Sequence, residues 1–283
     1  MPFHLPLLLL LLLGTSTAQG SELLHYPRHS QDVEPEAYAL ELLEQALAHH
    51  PGRYRLQATA RPMTQSRALH ALQHDTGAIQ VMWTMTTQDR EDALRAIRIP
   101  IDKGLIGWRI ALLRSGQEQL LAQVHSLEQL HGLRFGQRHD WPDTEILRSN
   151  GLTVVTSPNY DGLFEMLAAR RFELFPRELV VAWDELQRAQ DRGLALSIDP
   201  HLVIHYPTAF YFFTSRQRED LARDIEAGLE AMLADGRFEQ LFQANHGPSL
   251  RRADLPSRQL IRLHNPQLPA GTPLERQELW FNP

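Results

Sequence analysis

Two extended segments, marked by proline and glycine, interrupt a regular alternation of helix and strand patterns in this chain. Before the first segment, IRIPIDKGLIGWRIALL (97–113), the order is helix, strand, helix, strand. Between it and the second, LSIDPHLVIHYPTAFYFF (196–213), helices and strands alternate again. This alternation predicts α/β sheets with connecting helices on their faces. Because the chain crosses twice, we predict two α/β lobes, the first of which is resumed near the C-terminus.

Hydrophobic spacing supports the elements of the first lobe. In EPEAYALELLEQALAHHPG (34–52), Leu40, Leu43 and Leu47 fall on one helix face, and the Pro-Gly pair marks the helix end. The next segment, RYRLQATA (53–60), alternates apolar and polar residues as a strand does. A helix and a strand are therefore the first two elements expected after the N-terminal segment.

Capping patterns predict two helix starts in the middle of the chain. Ser126 and Gln129 in SLEQ have the spacing of a capping box, so a short helix is expected before the strand that begins near Leu133. Further along, Ser157 followed by Pro158 predicts a helix with serine as its cap and proline at its first position.

The first 18 residues have the pattern of a signal peptide. The leucine run 7–13 is far shorter than the roughly 20 apolar residues that a membrane-spanning helix needs. Ser16 and Ala18 then occupy the −3 and −1 positions of a cleavage site. A packed core helix is the alternative, but consecutive leucines leave it no polar face. We predict cleavage after Ala18 and export to the periplasm.

Composition narrows the possible partners. The formal net charge is −6 with the two signs interspersed, which argues against nucleic acid or an anionic membrane surface as the main partner. The chain has no cysteine, so an ordinary hydrophobic core rather than disulfides must stabilise it outside the cytoplasm.

His70 and His74 are spaced for a metal on one helix face, but no third ligand is apparent. We therefore predict structural roles for these histidines, and neither a metal nor a cofactor.

Three stretches carry a resemblance to a known family: SLEQLHGLRFG, GLTVVTSPNYDGLFEMLAARRFELFPREL and AFYFFTSRQREDLARDIEAGLEAMLADGRFEQLF. Over about residues 22–247 the chain resembles the periplasmic solute-binding proteins of family 3, in a divergent branch. The resemblance implies the type 2 periplasmic-binding fold, a monomer whose two lobes close on a small solute. The first lobe is then expected to contain residues 19–106 and 203–283, and the second residues 107–202.

The family places a ligand-binding arginine at the end of a threonine-rich loop, and MTTQDRE (85–91) matches this loop. Arg90 is therefore expected to bind a ligand carboxylate, which a guanidinium fork contacts with two hydrogen bonds. Its alternative is a solvated arginine at a helix end. The resemblance also brings Thr84, Thr86 and Trp83 to the pocket, although the family has glycine where Trp83 stands.

The second-lobe side of the cleft is expected to use the loop GQRHDWPDTE (136–145). In the family this loop presents a helix N-terminus to the ligand carboxylate. Here Asp140 and Asp143 neutralise that helix end, which argues against a second anion contact. Arg138 and Trp141 stay candidates as a hydrogen-bond donor and an aromatic wall. A plain capped surface turn is the alternative.

Two further candidates lie in FELFPREL (172–179). Glu178 stands where the family commonly has an aspartate for the ligand's amino group, and Arg177 precedes it. An acid near a helix N-terminus is also favourable for its interaction with the helix dipole alone, so both interpretations stay open.

The predicted function is that of an exported solute-binding protein. It would capture a small polar metabolite that bears a carboxylate, such as an amino acid or organic acid, for the membrane permease of an ABC-type transporter. A periplasmic sensor for a membrane signalling partner is the alternative. The sequence contains no G-x-S-x-G, P-loop or cysteine nucleophile, so we predict no enzyme. A dehydratase on the same fold, with Glu173 or Glu178 as its acid, is a third possibility.

Overall fold

The computed structural model describes residues 20–28 and 36–283. The predicted signal peptide, residues 1–18, lies outside the described residues. Among the helices of the described ranges, none combines the length and the apolar character that crossing a membrane requires.

The secondary structure alternates along most of the described chain. Its strands are β1 (Glu22–Arg28), β2 (Tyr54–Pro62), β3 (Val81–Met85), β4 (Arg95–Ile97), β5 (Trp108–Arg114), β6 (Arg134–Arg138), β7 (Thr153–Ser157), β8 (Phe175–Glu178), β9 (Leu196–Ile198), β10 (Leu202–His205), β11 (Phe210–Thr214) and β12 (Gln259–Arg262). Its α-helices are α1 (Glu36–Leu47), α2 (Gln65–Gln73), α3 (Gln88–Ala93), α4 (Pro142–Ser149), α5 (Tyr160–Ala168), α6 (Ala182–Asp191), α7 (Glu219–Asp235) and α8 (Arg237–Ala253).

The strands assemble into two groups, which define the two lobes. In the first lobe, β11 lies between β3 and β4 and is antiparallel to both, and β1 pairs with β2 in parallel. In the second lobe, the order is β12-β10-β5-β8, with β9 also paired to β5. The parallel pair β6-β7 joins this group through a bridge between Phe135 and Leu174.

The first-lobe sheet has a hydrophobic core on each face. Along β3, Val81 and Trp83 belong to the core formed with α1 and α7. Met82, which points the other way, belongs to the core that contains Leu72 of α2. Successive side chains of a strand alternate between faces, so Thr84 shares the α2 side with Met82. This alternation decides which side chains of the strand lie near Arg90.

Strand β5 organises the second lobe in the same way. Ile110 and Leu112 are buried in the cluster that contains residues of α5 and α6, whereas Ala111 and Leu113 are buried with Phe135 on the opposite face. By the two-residue period of a strand, Arg109 lies on the face of Ala111 and Leu113. A charged side chain thus lies at the end of an otherwise apolar run of this strand face.

The two crossings between the lobes lie against each other. A Cβ at Gly107 would stand 2.2 Å from the carbonyl oxygen of Tyr206, so only glycine permits this approach. The Tyr206 N–H donates to the Gly107 carbonyl oxygen at 3.2 Å. On the first crossing, the Asp102 carboxylate accepts the backbone N–H groups of Gly104 (3.0 Å) and Ile106 (2.7 Å), which fixes the turn.

The C-terminal tail contacts both lobes. Strand β12 pairs in parallel with β10, and farther along the Gln267 carbonyl oxygen accepts the N–H of Gln88 in the first lobe at 3.2 Å. The Phe281 N–H then donates to the carbonyl oxygen of Lys103 in the first crossing at 2.7 Å. We therefore correct the assignment of all of 203–283 to the first lobe, because β10 and β12 extend the second-lobe sheet. The other lobe boundaries stay predictions.

Local capping differs from the sequence expectation at two helix starts. The cap of α5 is Asn159, whose side chain accepts the Gly162 N–H at 3.2 Å, while Ser157 ends β7 and its hydroxyl accepts the Asn159 N–H. The predicted contact from the Ser126 N–H to Gln129 Oε1 forms at 3.1 Å, but it precedes only a 3₁₀ turn, Glu128–Leu130.

Candidate functional site

Arg90 is held in a fixed orientation by neutral oxygens of the first lobe. Its backbone N–H donates to the hydroxyl of Thr87, the cap of α3, at 3.3 Å. Its Nη1 donates to Thr84 Oγ1 (2.9 Å) and to the Met85 carbonyl oxygen (2.7 Å), and its Nη2 donates to Gln65 Oε1 (2.7 Å). These contacts use three of the five N–H donors of a guanidinium group. The group is therefore oriented, but its hydrogen-bond partners supply no negative charge.

The sheet face of the second lobe that carries Arg109, called here the second-lobe wall, has a buried ion pair. Arg109 Nη2 lies 2.7 Å from Asp143 Oδ1, and Arg109 Nε donates to the Tyr206 hydroxyl at 2.8 Å. The same hydroxyl donates to Asp143 Oδ1, which closes a three-residue network. Burial alone lowers the pKa of Arg109, but the Asp143 carboxylate and its neighbours outweigh it and the pKa is raised. The charge of this arginine is consequently paired by a carboxylate of its own lobe.

Asp140 extends from the second lobe to the first. Its Oδ2 accepts from Arg138 Nη2 at 2.9 Å and from the hydroxyl of Ser66 on α2 at 3.3 Å. Ser66 directly follows Gln65, which holds the Arg90 guanidinium. Among the described residues, Asp140 Oδ1 has no hydrogen-bond partner although it is buried.

The N-terminus of α4 offers few donors to an anion. Pro142 is its first residue and has no N–H, and the Thr144 N–H donates to the Trp141 carbonyl oxygen at 3.1 Å. The Thr144 hydroxyl is also occupied, since it donates to the Arg138 carbonyl oxygen at 2.7 Å. That the loop makes no second anion contact stays a prediction.

Two more polar side chains share the sheet face of Arg109. Glu178 pairs with Arg109 in the β5-β8 register, and the bridge from Phe135 to Leu174 puts Gln137 on that face. Burial, opposed by the two neighbouring arginines, raises the pKa of Glu178. Gln137 is fully buried, and neither side-chain atom has a partner within the described ranges. The face therefore carries polar groups whose hydrogen bonds are incomplete.

Comparison with known proteins identifies the fold. No family model and no curated protein matches the chain. Among solved structures, an ancestral arginine-binding protein bound to arginine has a TM-score of 0.59 and 17% identity, over 79% of this chain and 97% of that one. An arginine-specific periplasmic binding protein of Salmonella typhimurium has a TM-score of 0.60 and 14% identity, over 80% and 100%. The chain has the fold of the periplasmic binding proteins.

The same fold also occurs in a signalling context. A histidine kinase sensor domain with similarity to periplasmic binding proteins superposes with a TM-score of 0.57 and 17% identity, over 80% of this chain and 96% of that one. The predicted architecture of two α/β lobes is thereby confirmed.

Within this binding-protein fold, two predicted site residues lie elsewhere. Trp83 packs in the first-lobe core against Tyr26 and Phe212, with ring centroids 5.6 and 6.1 Å away. Arg177 forms a buried two-point ion pair with Glu185, at 2.5 and 2.7 Å. Each is one residue from a site position on its strand and so points to the opposite face. We therefore leave Trp83 and Arg177 out of the proposed site.

The remaining predicted residues are distributed as follows. Thr84 contacts Arg90 directly, whereas the buried Thr86 hydroxyl donates to Glu91 at 2.6 Å and supports the loop. Trp141 lies over the Arg177 guanidinium, 4.7 Å from the ring centroid, and it also flanks Arg138 at 5.9 Å. Trp141 thus packs beside two arginines of the second lobe, and its role as a wall of the cleft stays a prediction.

Sequence reasoning did not name four residues that the structure makes candidates for the site: Gln65, Arg109, Gln137 and Tyr206. A signal was available for Arg109, because it interrupts the apolar run WRIALL at a strand position. Gln65 and Tyr206 had none, since their contacts come from distant parts of the chain. For the histidines, the described residues contain no group of three His, Cys, Asp or Glu side chains that could hold a metal.

Proposed function

We propose that this protein captures a small polar, carboxylate-bearing solute between its two lobes. The orientation of Arg90 carries the proposal. Thr84, Met85 and Gln65 fix the guanidinium, and its two remaining N–H donors stay available to a ligand. A fixed fork loses little conformational entropy when it binds a carboxylate, because its geometry is already set.

The second-lobe wall supplies the complementary contacts. Glu178 and Gln137 share one face with Arg109 at the end of the sheet, and neither side-chain polar atom of Gln137 has a partner among the described residues. A ligand with an amino group or another donor opposite its carboxylate would contact both lobes. Such contacts favour the closed arrangement by differential binding, with the two crossings as the hinge.

Delivery to the permease of an ABC-type transporter is the main proposed role. The solute-binding fold supports it, as does the leader pattern of residues 1–18. Protein made with its leader in a Gram-negative host should then be recovered from the periplasm with Gln19 as its first residue. Recovery of membrane-attached protein that still begins with Met1 would contradict processing and export in the proposed form.

A sensor for a membrane signalling partner is the second candidate, and the similarity to a histidine kinase sensor domain favours it. The two roles share the cleft and differ in the partner. Solute uptake that depends on this protein and a co-expressed permease would support transport. A solute-dependent change in the activity of a co-expressed membrane kinase, without uptake, would support sensing.

Calorimetry on Arg90 variants tests the solute-binding proposal. The processed protein is first screened by thermal shift with amino acids, including arginine and glutamine, and with organic acids, because a ligand at 100 times its Kd stabilises by about 2.7 kcal/mol. With any hit, Arg90→Ala should lose about 2–5 kcal/mol of binding, the cost of truncating a desolvated charged contact. That loss is roughly 30-fold or more in affinity.

Two further variants make the result specific. Arg90→Lys should recover little affinity, because a point charge cannot reproduce the planar fork. Arg251→Ala removes an exposed arginine of α8 and should bind as the wild type does. Unchanged affinity in Arg90→Ala would remove Arg90 from the site, and the carboxylate argument with it.

A further inference from the structure

The charge of Arg90 is not balanced by its hydrogen-bond partners. Those partners are a hydroxyl, a backbone carbonyl and a side-chain amide of the first lobe, all neutral. A buried charge without a counter-ion is costly, so a neighbouring carboxylate would stabilise it. Burial lowers the pKa of Arg90, and the carboxylates of Asp140 and Asp143, both from the second lobe, oppose this shift without a direct hydrogen bond to the guanidinium.

These two carboxylates differ in their contacts, although each already pairs with an arginine of the second lobe. Asp143 is engaged by Arg109 and Tyr206 deep in the second lobe. Asp140 instead reaches the first lobe, where its Oδ2 accepts from Ser66, the residue after the Gln65 that holds Arg90. Its other oxygen, Oδ1, is buried and lacks a hydrogen-bond partner among the described residues. Asp140 therefore has the position and the free acceptor to serve Arg90.

The loop around Asp140 is poor in groups that would attract an anion. The first residue of α4, Pro142, has no N–H, and the N–H of Thr144 is bound to the Trp141 carbonyl oxygen. A solute carboxylate that approaches Arg90 would thus meet the like charges of Asp140 and Asp143 rather than a helix N-terminus. Arg138 pairs with Asp140 Oδ2 at 2.9 Å and so reduces part of this negative charge, while Asp140 Oδ1 keeps no partner among the described residues.

We propose that Asp140 is an internal counter-ion for Arg90: it pairs electrostatically with the guanidinium across the cleft, holds the lobes together, and must be displaced by any solute carboxylate. The displacement of Asp140 by a solute rests on the proposed function, whereas the pairing of Asp140 with Arg90 does not. Asp140 is then the residue that sets how strongly plain carboxylates compete for the cleft. Solutes with only negative groups are disfavoured, because they displace one carboxylate and stay beside another.

A spin-label distance measurement tests the contact without any solute. The chain has no native cysteine, so Gln73→Cys on α2 and Arg148→Cys on α4, both exposed, can be labelled selectively. In this background Asp140→Asn should shift the distance distribution between lobes to longer values, and 1 M salt should do the same to the parent protein, because the Debye length falls to about 3 Å. Asp184→Asn, an equal charge change at an exposed position of α6, should leave it unchanged.

A second measurement tests displacement with defined probes. Millimolar acetate and succinate should raise the melting temperature of Asp140→Asn more than that of the wild type, since Arg90 no longer has an internal competitor. Identical distance distributions for the wild type and Asp140→Asn would overturn the contact, and equal thermal shifts would overturn the displacement. Neither outcome depends on the Arg90→Ala calorimetry, so the counter-ion and the solute-binding function can fail separately.

Discussion

Arg90 and Arg109 belong to opposite lobes, and they are supported in different ways. Arg109 in the second lobe has a carboxylate and a phenol as partners, whereas Arg90 in the first lobe has only neutral oxygens. The pKa values of the two guanidinium groups differ accordingly. The pKa of Arg109 is raised, while burial lowers the pKa of Arg90 to about 10. The same side chain is thus a structural group on one wall and an available group on the other.

This difference separates stability from binding. A charge that is paired inside its own lobe stabilises that lobe only as long as both partners are present. A charge that is oriented but unpaired within its lobe contributes little to that lobe, and its free donors can serve a solute or a carboxylate of the other lobe. Substitutions on the two walls should therefore act on different measurable quantities.

The largest expected effect comes from breaking the second-lobe pair. Asp143→Ala leaves Arg109 buried without its counter-ion and should lower the free energy of unfolding by about 3–5 kcal/mol. Arg90→Ala should change that free energy far less, because no carboxylate is among its hydrogen-bond partners. Urea denaturation of both variants measures the difference. Equal destabilisation by the two substitutions would contradict the comparison.

Sequence reasoning reached much of the fold but only part of this contrast. The pattern MTTQDRE led to Arg90, and the alternation of helix and strand led to two lobes. The period of a strand is also visible in sequence, yet which face of β3 or β8 looks toward the other lobe is not. That is why the sequence names both neighbours of each pair, Trp83 with Thr84 and Arg177 with Glu178, and only the structure separates their faces.

The tail shows a second limit. QLIRLH reads as a strand, but nothing in its local pattern says that it pairs with β10 rather than with the first-lobe sheet. Pairing between distant segments is decided by tertiary packing, which overrides local pattern. Buried polar groups such as Arg109 can be noticed in sequence, whereas their partners cannot.

A smaller effect is expected from the carboxyl group of Asp102 in the first crossing. Burial and the nearby Glu178 raise the pKa of Asp102 to about 8, well above its ordinary value. The folded protein then binds more protons than the unfolded chain between about pH 4 and pH 8, so stability should fall as pH rises through this window. One such group contributes a slope of at most about 1.4 kcal/mol per pH unit.

The variant Asp102→Asn isolates this contribution. It stays neutral at every pH, so its stability profile should be flatter than that of the wild type. Because Gly104 and Ile106 donate to different oxygens of Asp102, the single oxygen of asparagine keeps one of these two contacts, and the whole profile should also be lower. Urea denaturation across the pH window measures both profiles, with Asp184→Asn as the exposed control. A wild-type stability that rises from weakly acidic to weakly alkaline pH would show that Asp102 is ionised in the folded protein.

The smallest effect should come from Gln137, and its sign is informative. Leaving a buried polar group unpaired costs about 1–3 kcal/mol, and neither side-chain atom of Gln137 has a partner among the described residues. Gln137→Met keeps an unbranched chain of similar length and removes the amide, so the free energy of unfolding should stay constant or rise by about 1 kcal/mol. The exposed Gln123→Met is the matched control.

If Gln137 serves the solute, the same variant should bind a screening hit more weakly while it folds at least as well. A clear loss of stability would instead show that the amide is hydrogen-bonded within the folded protein, and Gln137 would then belong to the satisfied second-lobe network with Arg109 rather than to the available groups with Arg90.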